Sequence, residues 1–160
     1  MADLIKLDFN TSPLLKAKLN LLVRKGKNLT QPMKEIGEIA ETSIRYNFEV
    51  GGRYSGSGEN VAGGSKKWDA LSVGYYDWKV NVKNSSPLPL TLDSGLVNSI
   101  QKTNINSTGV DLSTSKEYAA AHHFGHEFTA NRILPERPFM VIQDDDIEDF
   151  FDVLRAHFQK

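Results

Sequence analysis

Four groups of residues have types and spacings that could do chemistry, and the histidine-rich one comes first. His122, His123 and His126 precede Glu127. His122 and His126 are four apart, which on a continuous helix would aim two imidazoles along one face, as a zinc site needs. Gly125 stands between them as a helix terminator, and Ala130 occupies the position where HExxH would place its second histidine. The competing reading is a set of polar residues around a helix C-terminus, where an imidazolium is mildly favoured by the dipole. Gly58-Glu59-Asn60-Val61-Ala62-Gly63 resembles half of a phosphate-binding loop, but Gly64 and Ser65 stand where Lys and Ser or Thr are required. Ser113-Thr114-Ser115-Lys116 fits the SxxK pattern of acylating serine enzymes, yet a helix-capping role explains Thr114 and Ser115 more simply. The acids Asp144, Asp145, Asp146, Glu148, Asp149 and Asp152 could attract a hard cation. They lack EF-hand spacing and its glycine, and acids in a first helical turn are stabilised by the dipole.

The elements that would position these groups follow from periodicity. Leu4 to Phe9 alternates as a first strand. Ser12 and Pro13 then open a helix with an apolar stripe of Leu15, Leu19, Leu22 and Val23, which Gly26 stops. Thr30 is placed to cap a second helix whose inner face is Met33, Ile36, Ala40, Ile44 and Phe48, ending at Gly51-Gly52. Residues 51–67 carry six of the 12 glycines and no apolar period, which predicts a mobile loop. From Tyr76 to Lys83 strict alternation predicts a half-buried strand, with Tyr76, Trp78, Val80 and Val82 inward and Lys79 outward. Asn84 to Pro87 turns the chain, and Asp93 caps a short helix holding Leu96, Val97 and Ile100. A hairpin is expected around Ser107-Thr108-Gly109, with Gly109 left-handed. Thr114 and Glu117 form a capping-box pattern for a helix through Tyr118, Ala121 and His122. Asp144 caps a last helix with Ile147, Phe150, Phe151, Leu154 and Phe158 on its apolar face. Without regular βαβ alternation, the expectation is an α+β fold with a small antiparallel sheet, in one domain spanning 1–160.

Composition narrows the function. The chain has 160 residues, no cysteine and a net charge of −1. Thiol chemistry, disulfides and cysteine-ligated zinc are therefore excluded, and a near-neutral total removes the usual electrostatic argument for nucleic-acid binding. No apolar run could span a membrane, and Met1 to Leu4 lacks the start of a secretory signal. The total conceals a basic start and an acidic finish. No acid lies between Asp8 and Glu35, where Lys16, Lys18, Arg24, Lys25, Lys27 and Lys34 fall. The two ends could attract one another between neighbouring copies, giving orientation more than stability.

Four short segments resemble the phage virion morphogenesis family, the tail-completion proteins typified by the G protein of Mu-like phages. Leu92-Asp93-Ser94-Gly95-Leu96-Val97-Asn98-Ser99-Ile100 is similar to that family's L-x-x-[ST]-G-x-L-x-x-S-I segment. Tyr118 to Gly125 resembles its YA…hqfG stretch, and Leu134-Pro135-Glu136-Arg137-Pro138-Phe139 its iPaRPF. Phe48, followed by Lys67-Trp68-Asp69-Ala70-Leu71, is similar to its rF…W.pL region. The segments stand in family order from about Met33 to Phe158; the Gly/Ser-rich stretch before Trp68 replaces a usual short dPdG. The resemblance implies a non-enzymatic, cofactor-free protein of tail completion or head–tail joining. It would be made in the bacterial host cytoplasm, enter the virion, and contact tail or neck proteins, with a homo-oligomeric ring possible. Contact residues would be Lys16, Lys18, Arg24, Arg53, Tyr54, Lys66, Lys67, Arg137, Asp145 and Asp149. The alternatives are a small metallohydrolase using His122, His123 or His126 with Glu127, and a nucleic-acid-contacting neck module built on the basic first helix.

Overall fold

In the computed structural model the described residues are 6–8, 17, 28–53, 66–130 and 132–159. Apart from Ala17, which is helical, the helix expected over Leu15–Val23, its stop at Gly26, and most of the Gly/Ser-rich loop lie outside them. The elements are β1 (Lys6–Asp8), α1 (Thr30–Val50), α2 (Val73–Asp77), β2 (Ile100–Asn106), β3 (Gly109–Thr114), α3 (Ala119–Phe124), β4 (His126–Thr129), β5 (Arg132–Leu134) and α4 (Asp144–Phe158). β3 is the centre of a three-stranded antiparallel sheet, flanked by β1 and β2. β4 and β5 form a separate hairpin. The fold is α+β, as the sequence predicts.

α1 and α4 form because each carries one apolar stripe wide enough to be worth burying. Met33, Ile36, Ala40, Ile44 and Phe48 on α1 all enter the core, as do Phe150 and Leu154 on α4. α1 packs against both the sheet and α4. Gly37 permits the close approach to the sheet, since a Cβ there would lie 3.0 Å from both Val110 and Lys102. Their N-terminal caps differ from expectation. The Thr30 N–H is accepted by the Asn28 side chain at 2.9 Å, so Asn28 caps α1 from outside. In α4 the cap is Gln143, in a reciprocal capping box with Asp146, and Asp144 is the first helical residue.

Residues 76–83 correct the strand prediction. α2 continues as a wider π-helical turn over Trp78–Val82, in which the Lys83 N–H donates to the Trp78 carbonyl at 3.0 Å, five residues back. The expected inward face is not buried, since Tyr76, Trp78 and Val82 are exposed, and of the residues expected outward Lys79 alone is buried, at only 1% exposed. A strand must find neighbours for its backbone groups; a helix satisfies them within itself, and no described strand runs beside this segment. Asn84, left-handed at φ 49°, then ends the turn.

Three smaller corrections concern turns. Asp93 accepts the Gly95 N–H at 2.9 Å as an Asx turn, but only one 3₁₀ turn, Val97–Ser99, follows, and Ile100 already begins β2. The β2–β3 hairpin forms where expected, but Gly109 is not left-handed; the positive φ falls on Asn104. Asn106 shapes the turn by accepting the Thr108 N–H at 2.8 Å. Thr114 ends β3 rather than capping α3, and its hydroxyl accepts the Lys116 N–H at 3.3 Å.

Residues 137–143 form a buried strap running from the hairpin into α4. It has few strand partners, so side chains from other elements answer its backbone groups. Trp68 Nε1 donates to the Pro138 carbonyl at 2.8 Å, and Asn47 Nδ2 to the Phe139 carbonyl at 2.9 Å. The Phe139 N–H donates to His123 Nδ1 at 3.3 Å. Phe139 itself meets the rings of Phe48 at 5.5 Å and His123 at 5.2 Å. The Gly/Ser-rich segment leaves and rejoins this knot at one point. The Trp68 N–H donates to the Gly51 carbonyl at 2.8 Å, and Gly52 lies so close that a Cβ would stand 2.7 Å from Trp68.

Phe139→Ala should cost about 3–5 kcal/mol of unfolding free energy, the range for emptying a buried aromatic site. Urea unfolding followed by far-UV circular dichroism measures it; a loss below 1 kcal/mol would show that the strap is not central to the core.

Candidate functional site

A cleft of about 910 Å³ opens beside the strap. Its wall is contributed by each of the four segments that carry the family resemblance: Asp69 to Leu71, Leu92 to Leu96, Tyr118 with His122, and Leu134 to Arg137. α2 adds Tyr75, and the π-helical turn that follows it adds Lys79. Tyr75 and Lys79, and likewise Tyr118 and His122, are four apart on helical turns, which is why each pair faces the same space.

Polar groups line the inside and apolar groups the mouth. Lys79 donates to the Leu88 carbonyl and, at 3.0 Å, to Thr91 Oγ1. These bonds hold residues 88–92 against α2, including Leu90, whose left-handed φ of 61° is a strained conformation for a bulky side chain. Burial pushes the Lys79 pKa below its ordinary value. Arg137 turns its planar fork onto the Asp69 carbonyl, with Nε at 3.3 Å and Nη2 at 3.2 Å. Its own N–H donates to the His122 carbonyl at 2.8 Å. His122 Nδ1 is hidden from solvent and has no hydrogen-bond partner. Burial first and the Arg137 charge second hold its pKa down. At the mouth, Tyr75, Leu92, Tyr118 and Ile133 are exposed, Ile133 at 67%. Burial and the neighbouring Asp93 charge raise the Tyr118 pKa.

The three histidines are separated. Gly125, at φ 77°, ends α3 between them. His122 faces the cleft, His123 is wholly buried under the strap, and His126 is exposed in β4. Among the described residues no three His, Cys, Asp or Glu side chains gather closely enough to share a metal ion.

The expected contact residues do not form one patch. Lys16, Lys18, Arg24 and Tyr54 lie outside the described residues. Lys66 and Lys67 are exposed, and so are Asp145 and Asp149 on α4. Arg53 is folded inward, stacked 4.7 Å over the Tyr46 ring. It donates to Asn47 Oδ1 at 3.0 Å and to Ser43 Oγ at 2.8 Å. Ser43 in turn donates to Asp146 Oδ2 at 2.5 Å, so Arg53 ties the loop entrance to α1 and α4. It shares a smaller groove of about 430 Å³ with Asp149. Sequence reasoning missed Lys79, Tyr75, Leu92 and Ile133 as members of a site. Only the two i,i+4 pairs gave any signal for the cleft, and Lys79 of the first lay in a segment read as a strand.

The fold and the four converging segments define a class. A model of the phage virion morphogenesis family matches residues 11–159, and the chain belongs to that family. Among individual proteins it is similar to the Mu-like prophage FluMu G protein 2 of Haemophilus influenzae. The two are 25% identical over 158 residues, covering 98% of this chain and 97% of the relative. No solved structure matches.

His123 makes stability pH-dependent. Burial lowers its pKa from 6.5 to about 4, so the fold favours the neutral ring, whose Nδ1 must accept from the strap. Its contribution is complete above the unfolded value and is lost as pH falls from there through the folded value. Between pH 7 and pH 5 the loss should be ~2 kcal/mol. Asp146, raised by burial, works oppositely, its contribution fading as pH rises. Urea midpoints at the two pH values, compared with His123→Asn, isolate the histidine. The variant should show a flatter dependence, and an unchanged slope would refute the assignment.

Proposed function

We propose that this chain is a non-enzymatic assembly protein that acts in tail completion or head–tail joining through protein–protein contacts. One observation carries the reading: all four family-like segments wall a single cleft whose mouth exposes Tyr75, Leu92, Tyr118 and Ile133. Tyrosines and a branched aliphatic around a recess are the composition of an interface anchor site. On this reading the chain works as one α+β domain in the host cytoplasm and passes into the virion with its tail or neck partners. The basic residues Lys16, Lys18 and Arg24 of one copy would face the exposed Asp145 and Asp149 of the next, orienting a ring of copies. No membrane, cofactor or bound nucleic acid enters this scheme; among the described residues no helix is long and apolar enough to cross a membrane.

The test is complementation of a phage whose copy of this gene carries an early stop codon. Electron microscopy of the lysate should show unjoined heads and tails, or incomplete tails, which the unaltered gene restores. Tyr118→Ala combined with Ile133→Asp alters exposed side chains, should leave the melting temperature within a few degrees, and should restore at least about tenfold fewer infectious particles. Normal virions in the absence of the protein would end the proposal.

A further inference from the structure

One wall of the cleft is the edge of a sheet. β4 and β5 form a two-stranded sheet that no other described strand joins. Two strands alone are marginal in water, and a further strand stabilises them. Ile133 and Leu134 both line the cleft, although successive side chains of a strand point to opposite faces. A recess that touches both lies along the strand's edge, on the side away from β4.

The register says which backbone groups stand at that edge. His126 faces Leu134 and Glu127 faces Ile133, and neighbouring antiparallel pairs alternate between bonded and non-bonded. A Cβ on Gly125, the residue before β4, would lie 3.0 Å from the Leu134 carbonyl oxygen. That carbonyl therefore points toward β4, Leu134 belongs to the bonded pair, and Ile133 turns its N–H and carbonyl outward. Among the described residues no backbone group outside the hairpin bonds to either. Exposed edges are ordinarily blunted by a bulge or a charge. Here the bulge is in β4, between Glu127 and Thr129, while the outward residue of β5 is β-branched, apolar and 67% exposed.

We propose that β5 accepts a third strand: an extended, uncharged segment of a partner virion protein, with apolar side chains at alternate positions, lies in the cleft along Ile133. Its backbone exchanges hydrogen bonds with the Ile133 N–H and carbonyl, and its side chains pack on Tyr75, Leu92 and Tyr118. Main-chain bonds hold such an added strand, and the recess selects its side chains. Pro135, which has no N–H, ends the edge and keeps the added strand short. Lys79 and Arg137 are already bonded within the chain, so the segment brings no charge for them. A helix would leave the outward backbone groups of Ile133 unanswered. A second copy is a poor donor, since β2 and β4, its described strands with exposed runs, are each broken by a register shift. The proposal deepens the assembly reading and rests on it for the identity of the partner.

The experiment uses the isotopically labelled full chain and the capped hexapeptide Ser-Val-Phe-Val-Leu-Ser. Titration should move amide resonances around Tyr75, Leu92, Tyr118 and Ile133, and should slow hydrogen exchange of the Ile133 amide at least about tenfold. Two further peptides carry a backbone N-methyl group, one on Phe and the other on the following Val. Alternate amides of a strand face opposite edges, so only one of the two loses a bond to β5. Their affinities should differ by at least about fivefold. Ile133→Pro removes the outward donor at an edge position, where proline is tolerated, and should weaken the parent peptide by a similar factor. Should that variant unfold, the methylated pair and the exchange rate still decide the matter. Val82→Ser, exposed and outside the cleft, should change nothing. Equal binding of the methylated peptides overturns the strand addition, as does an Ile133 amide already protected in the free chain. Absence of binding by the parent peptide overturns the site. Self-association that Ile133→Pro abolishes, without peptide binding, would give the edge to a second copy and overturn the proposal. These outcomes are separate from complementation: a failed titration leaves the assembly role standing, and normal virions without the protein would leave the edge and its chemistry intact.

Discussion

The structure depends on how a buried strap has its backbone satisfied without a complete strand ladder. Residues 137–143 run through the core, where every unpaired N–H or carbonyl is unfavourable. The answer comes from side chains on three different elements: Asn47 from α1, Trp68 from the end of the Gly/Ser-rich segment, and His123 from α3. Two of these polar groups, those of Trp68 and His123, belong to rings that also fill the core. Phe48 stands edge-on to Trp68 at 5.5 Å, and Phe139 closes the cluster. Elements distant in sequence are thus joined at one place by bonds that are directional as well as apolar.

The same strap positions the cleft. Once the Phe139 side chain and the Pro138 carbonyl are committed to the core, Arg137 faces the other way, toward Asp69 and His122. α3 serves both sides too, since consecutive residues on a helix point about 100° apart. His123 closes the core and His122 lines the cleft. What reads as a histidine cluster in the sequence is two neighbouring residues with opposite duties.

Legibility in the sequence tracked burial. α1 and α4 could be read because each buries a full stripe, so Met33 to Phe48 and Ile147 to Phe158 carry a helical period. The β2–β3 hairpin could be read because Val110, Leu112 and Thr114 alternate inward. Residues 76–83 misled because most of their large side chains are exposed and free to fall in any pattern, while the one buried residue is a lysine. The β4–β5 hairpin gave no signal, since all of β4 faces solvent. The family-like segments identified the family, but not that they share a cavity. That depends on the path of the strap, and residues 69 and 137 meet only once the chain is folded.

One contact sets how freely this architecture can vary. Gly51 and Trp68 are bonded backbone to backbone, so the two ends of the intervening segment meet whatever its contents. The closure is made by the anchors and belongs to the core. Lengthening the segment then adds only a slowly growing chain entropy, about 0.6 kcal/mol for each doubling. The site works as a fixed socket into which inserts of different length and composition can be fitted. A Gly/Ser-rich run can stand between these anchors while the strap and cleft keep their geometry.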